Sequence, residues 1–228
     1  MKIIIANSAQ YFKEDLKNIF QANNNIKYWF INQKSQLNFN DINRIQPDYI
    51  FFMHWSYIID KEIYSNFECI IFHMTDLPFG RGGSPLQNLL SRGIYETKIS
   101  AIRCVKALDA GDIYLKRHLT LNGSAEEIYR TASKIMYEMM QIIIEKQPQP
   151  QKQIGDPVVF QRRSKQQSNI RHLSDLEAVF NHIRMLDADG YPSAYVETDY
   201  FVCEFERAAF KGDRILADVT IRLKSCQK

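Results

Sequence analysis

The sequence predicts an α/β fold: a doubly wound, mostly parallel sheet with a small C-terminal helix and β-hairpin appendage. Three observations predict it. Short runs that are apolar at nearly every position alternate with segments of helical spacing, the pattern of strands buried on both faces. A polar stretch with two prolines, Gln147–Gln153, reads as a linker. Beyond it, one short helix and two β segments are too few to build a second large core.

Taken in order, Lys2–Ala6 is a β-branched run ending at the turn-like Asn7-Ser8, and residues 9–22 have helical spacing. Ile26–Ile31 is a second strand, Ser35–Ile45 a polar helical segment, Asp48–Met53 a third strand and Cys69–Phe72 a fourth. Ser84–Ser91 reads as a helix with Pro85 in its first turn. Lys98–Ala107 and Ile113–Leu119 are strands joined by Leu108-Asp-Ala-Gly-Asp112. Ser124-Ala-Glu-Glu127 fits a capping box opening a long helix with Ile128, Ile135, Met139, Ile142 and Ile143 on one face. A helix near Asp175–Met185 and β segments at Tyr200–Arg207 and Arg214–Leu223 follow, with Phe210–Asp213 able to turn between them. The expected organisation is a domain at 1–147, a linker at 148–173 and a helix-plus-hairpin subdomain at 174–228.

Composition narrows the function. The chain has 228 residues, 45% apolar and 24% charged, with a net charge of +3. The cations form only short pairs such as Arg162-Arg163, so nucleic-acid binding is not expected. Four cysteines lie far apart without a CxxC or Cys/His cluster, so no metal is expected and the thiols read as reduced, cytoplasmic core residues. No run is long enough for a signal peptide or a membrane span.

In a doubly wound sheet, ligands bind beyond the carboxyl ends of the strands. Met53–Tyr57, His73–Gly83 and Leu108–Asp112 fall there. His73 suits proton transfer near neutrality, and Asp112 could orient it. On residue type alone, a lone strand-end histidine is more often structural and an Asp-Gly pair more often a turn. Gly80, Gly82 and Gly83 around Arg81 can approach an anion, or can be a solvated loop. His54-Trp55-Ser56-Tyr57 could wall a flat ring, or plug the end of the sheet. Neither common nucleotide fingerprint is present.

These segments together resemble the folate-dependent formyltransferase family, which includes glycinamide ribonucleotide transformylase, methionyl-tRNA formyltransferase and the nucleotide-sugar N-formyltransferases. The family's Asn-x-His-x-Ser-Leu-Leu-Pro is matched by Ile71-Phe-His73-Met-Thr-Asp-Leu-Pro78, followed by Arg81-Gly and Pro85-Leu-Gln87. Asp-x-Gly-x-Ile is matched by Asp109-Ala-Gly111-Asp112-Ile113. Phe160-Gln-Arg-Arg163, Asn181-His-Ile-Arg184 and Pro192-Ser-Ala-Tyr195 resemble later family segments.

The resemblance implies a Rossmann-like formyltransferase fold and a one-carbon transferase. It would use 10-formyltetrahydrofolate, with His73 and Asp112 as catalytic residues. It implies folate contacts at Met53, His54, Trp55, Ser56, Tyr57, Leu108, Asp109, Ala110 and Gly111. Acceptor contacts would come from Thr75, Phe79, Gly80, Arg81, Gly82 and Gly83. One departure stands out. Ile71 occupies the position of the family's oxyanion-stabilising asparagine, a loss of about a hundredfold in rate unless another donor serves; His54, Ser56, Thr75 and Gln87 are the candidates.

Compact size and a short β tail favour a nucleotide-linked amino deoxysugar as acceptor, with a UDP-linked 4-amino sugar preferred. The alternatives are a methionyl-tRNA formyltransferase-like enzyme and a non-catalytic folate-fold binding protein. The tail is expected to form a homodimer through Phe201, Cys203 and Phe205 on one strand and Ile215, Ala217, Val219 and Ile221 on the other. The competing arrangement folds it back on the helix at 175–185.

Overall fold

The β-branched and aromatic runs form strands because the pleat buries them on both sides. In the computed structural model, which describes residues 1–9 and 25–224, β1 (Lys2–Asn7), β2 (Lys27–Ile31), β3 (Tyr49–Met53) and β4 (Cys69–His73) pair in parallel. With β6 (Glu96–Arg103) and β7 (Ile113–Thr120) they form a six-stranded sheet in the order β2-β1-β3-β4-β6-β7. The helix expected at 9–22 lies outside the described residues. Ile4, Ala6, Ile50, Phe52 and Cys69 enter one apolar cluster with Ile42 and Ile63 from the helices Phe39–Ile45 and Lys61–Tyr64. Ile3, Ile5, Phe51, Ile70 and Phe72 alternate onto the opposite face and are equally buried.

The sheet is mostly parallel, as expected; β6 runs antiparallel to β4 with His73 opposite Ser100. The connecting helix Pro85–Leu90 has six residues, about 9 Å of rise. The rest of the connection between β4 and β6, residues 74–84 and 91–95, is turns and one short strand. Residues 79–82, expected as a loop, form the short strand β5 (Phe79–Gly82), which pairs with β8 (Val158–Phe160). The helical segment at 35–45 is a 3₁₀ turn, Lys34–Gln36, followed by the helix Phe39–Ile45 capped by Asn38.

The described residues fall in two compact units. The first comprises 1–82, 98–119 and 130–159, and the second 83–97, 120–129 and 160 onward. Within the first, the expected linker is tied down: Gln151 and Ile113 exchange backbone hydrogen bonds of 2.7 and 2.9 Å. His54 sits just past β3 with φ +48° and shares a 2.7 Å hydrogen bond with Ser133 on the long helix Ala125–Lys146. Burial lowers its pKa from 6.5 to about 4.

In the second unit, Ser124 and Glu127 exchange the capping-box bonds. Arg184 is buried and donates to the carbonyls of Leu121 and Gly123. The C-terminal sheet has one strand more than expected: β9 (Ala194–Glu197), β10 (Phe201–Phe210) and β11 (Ile215–Leu223), in the order β11-β10-β9. The helix Leu176–Arg184 lies over part of its apolar face. Leu176, Val179 and Ile183 line one cavity with Phe205, Ile215 and Ala217 there, and Phe180 packs edge-on against Phe210.

Gly111 tests the sheet's tightest approach. A Cβ there would sit 1.8 Å from the Arg103 carbonyl oxygen. Gly111→Ala should therefore lower stability by several kcal/mol in thermal unfolding. Gly93→Ala, which meets nothing within 4 Å and carries only the strain of φ +68°, should cost about 1 kcal/mol.

His54 predicts an acid slope. Above pH 6.5 the ring is neutral in both states and contributes nothing. As the pH falls from 6.5 towards 4, the unfolded chain binds a proton that the folded chain refuses, and stability falls by up to about 3 kcal/mol. Denaturant unfolding from pH 7 to 4 should show this loss reduced in His54→Asn. A share should persist from His182, also lowered by burial and by Arg163. An equally steep variant would assign the slope elsewhere.

Candidate active site

His73 closes β4 and sits in the last ladder pair, opposite Ser100, so the sheet fixes its backbone. The ring is buried, and Nε2 bonds the Gly80 carbonyl at 2.7 Å. A carbonyl only accepts, so Nε2 carries a proton. The Thr75 hydroxyl donates to the same oxygen at 3.3 Å. Ser100 fixes the bend after His73: its hydroxyl donates to the Thr75 carbonyl at 2.7 Å and accepts from Leu77 N.

The carboxylate that meets His73 belongs to Asp109: Oδ2 lies 3.6 Å from His73 Nδ1 and accepts the Gly82 N–H at 2.9 Å. Both side chains are buried. With Nε2 protonated on Gly80, Nδ1 is where a second proton would reside, facing Asp109. Asp109 holds φ +51°, which aspartate tolerates better than most residues. After burial, its charge is the next cause pushing the Cys104 thiol up to about 12.

Asp112, expected in this position, is not in it. Its carbonyl accepts from Arg103 N at 2.9 Å, and no hydrogen bond or ion pair joins it to His73 among the described residues. The physical reason is register. Gly111 is pressed against the Arg103 carbonyl, so Asp112 already belongs to the β6–β7 ladder. The chain turns earlier, at Asp109.

The structure thus brings together His73, Thr75, Gly80, Arg81, Gly82 and Asp109. Arg81 is held by a residue the sequence reading passed over: Gln153 Oε1 accepts from Arg81 Nε at 3.1 Å and Nη2 at 2.7 Å. Nothing in the local pattern marks Gln153, one glutamine in a polar stretch. Gly83 belongs to the second unit, where its N–H donates to the Phe160 carbonyl. Leu108 is exposed and Ala110 half-buried beside Asp109.

Met53–Tyr57 forms a separate cluster. Met53 is fully buried, so its side chain faces the core. Ser8 ties this loop to β1, its hydroxyl donating to the His54 carbonyl and accepting from Ser56 N. Trp55 packs edge-on between Phe52 and Tyr57. Two buried donors at this edge, Trp55 Nε1 and Asn7 Nδ2, have no hydrogen-bond partner among the described residues, while Tyr57 and Ile58 are exposed.

Ile71 packs against the apolar cluster and offers no donor. Of its candidate substitutes, Gln87 donates to Tyr129 Oη and the Met185 carbonyl, and His54 is engaged by Ser133. Thr75 alone shares an acceptor with His73. Among the described residues, no group of three His, Cys, Asp or Glu side chains could hold a metal ion, and no helix is long and apolar enough to cross a membrane.

Comparison with known proteins bears on this arrangement. The family described as methionyl-tRNA formyltransferase, C-terminal domain, matches residues 165–222. A methionyl-tRNA formyltransferase of Bacillus cytotoxicus is 28% identical over 171 residues, covering 71% of this chain and 54% of its own. The chain spans about half the length of the curated relatives it matches. A 4-N formyltransferase from Francisella tularensis superposes with a TM-score of 0.70 over 87% of this chain and 93% of its own; at 15% identity the likeness is one of fold. The methionyl-tRNA formyltransferase structure from Clostridium thermocellum is 48% identical, with a TM-score of 0.95 over 98% of this chain and 99% of that one. On that end-to-end match, the chain belongs to the formyltransferase family, in its methionyl-tRNA formyltransferase-like branch.

Proposed function

We propose that the chain is an N-formyltransferase that moves the formyl group of 10-formyltetrahydrofolate to an acceptor amine. The observation that carries the chemistry is the buried His73–Asp109 pair. The amine attacks the formyl carbon, a new C–N bond forms, and the bond to the folate nitrogen breaks. The proton lost by the amine returns to that nitrogen, with His73 and Asp109 handling it between the two events. The donors at this point, His73 Nε2 and the Thr75 hydroxyl, both serve the Gly80 carbonyl, and one of them would have to turn to the oxyanion that Ile71 cannot serve. The exposed residues at 57–58 and 108, with Trp55 Nε1 and Asn7 Nδ2, would hold the folate. Arg81 would meet the acceptor.

For the acceptor, the names of the relatives favour methionyl-tRNA over the amino sugar expected from size. One observation keeps the nucleotide-linked amino sugar as a second reading. Four cations of the C-terminal sheet and its turn are paired within it: Arg207 with Asp218, Arg214 with Asp213, Arg222 with Glu204 and Lys224 with Glu197. Few are left for phosphate contacts. Incubation with labelled 10-formyltetrahydrofolate and either methionyl-tRNA or a panel of nucleotide amino sugars decides between them. Formyl-methionyl-tRNA is the expected product. Formylated sugar alone would reverse the choice, and no transfer to either would overturn the enzyme reading.

A homodimer through the C-terminal sheet belongs to the same proposal. β11 is the open edge, and Val219, Ile221 and Leu223 are 48, 63 and 76% exposed. A second copy pairing antiparallel about Thr220 would set Asp218 of one chain opposite Arg222 of the other. Sedimentation at micromolar concentration should give a dimer, and Ile221→Lys a monomer. A wild-type mass of 26.8 kDa would exclude it.

A further inference from the structure

Gln153 does more than anchor one arginine. Its Oε1 accepts two N–H groups of Arg81, and its Nε2 donates to the carbonyls of Asp109 at 2.8 Å and Gly111 at 2.9 Å. The amide's two donors and both acceptor positions are all spent. Its orientation follows from its partners, since the flipped amide would set NH₂ against a guanidinium and oxygen against two carbonyls. Its backbone is steadied two residues earlier by the pairing of Gln151 with Ile113.

These contacts close a ring. β5 carries Arg81, and its neighbours on either side hold the reacting pair: the Gly80 carbonyl takes His73 Nε2, and Gly82 N–H takes Asp109 Oδ2. Gln153 joins the side chain of β5 to the backbone of the Asp109 turn. That turn sits at φ +51°, a conformation that costs about 1 kcal/mol and needs support from outside. Two groups supply it, Gly82 N–H at the carboxylate and the Gln153 amide at the carbonyl. Arg81 Nη1 has no hydrogen bond among the described residues, so one face of the guanidinium remains for an anionic group of the acceptor.

We propose that Gln153 is a positioning residue that couples acceptor capture at Arg81 to the placement of the Asp109 carboxylate against His73; this rests on the formyl-transfer reading above. An acceptor that draws on Arg81 pulls, through Gln153, on the turn that aims the carboxylate.

Three variants separate the two halves of the clamp. Gln153→Glu keeps an oxygen for Arg81 but turns another oxygen on the two carbonyls. Acceptor KM should stay within about twofold while kcat falls tenfold or more. Arg81→Ala should raise acceptor KM about tenfold and, with the pull on the Asp109 turn gone, lower kcat by less than Gln153→Glu does; Gln153→Ala should show both effects in full. Amide hydrogen exchange of Gly82 gives a readout that does not depend on turnover. It should accelerate about tenfold in folded Gln153→Glu and stay near wild type in Arg81→Ala. Unchanged Gly82 exchange in folded Gln153→Glu overturns the clamp, as do variants that lose thermal stability with kcat and KM unchanged. If the wild type transfers formyl to neither acceptor while Gly82 exchange responds as expected, the formyl-transfer reading fails and takes the coupling to catalysis with it.

Discussion

The site hangs on one carboxylate oxygen. Asp109 Oδ2 accepts the Gly82 amide and faces His73 Nδ1, so it joins three stretches of chain: the end of β4, the strand β5 and the turn before β7. A buried carboxylate is costly unless it is hydrogen-bonded and paired. Here one oxygen has both. The oxygen's position is set by backbone elements: the 3.6 Å approach depends on where β5 and the 109–111 turn lie.

That turn is itself dictated by packing. Gly111 lies so close to the Arg103 carbonyl that no side chain fits, which pins the entry to β7 against the end of β6. The reversal is thereby pushed back to Asp109, in a left-handed conformation. On the other flank, β6 runs antiparallel to β4, and this sets Ser100 beside the bend that follows His73.

Much of the fold was legible in the sequence because burial writes itself into composition. Ile3-Ile4-Ile5, Ile50–Met53 and Cys69–Phe72 have no polar residue to offer to water, and all became strands. The parallel character of β1 to β4 was legible; the reversed direction of β6 was not, because a strand's own residues do not record which way its neighbour runs. Val158–Phe160 and Ala194–Glu197 are too short to stand out and exist by pairing with partners distant in sequence. The site was legible as a neighbourhood. His73, Arg81 and the 108–112 turn were all marked. The sequence reading took Asp112, whereas the carboxylate facing His73 belongs to Asp109, because residue spacing does not reveal which carboxylate a turn aims inward. Gln153 was invisible for the same reason, since its meaning lies entirely in its partners.

The claim that Asp109 rather than Asp112 serves His73 is tested most directly by comparing Asp109→Asn and Asp112→Asn in formyl transfer to the acceptor the wild type uses. Asparagine preserves shape and can still accept from Gly82, so it removes the charge and leaves the turn in place. The account predicts a fall in kcat of about a thousandfold for Asp109→Asn and a change within about twofold for Asp112→Asn. Loss of activity in Asp112→Asn with Asp109→Asn near wild type would contradict it.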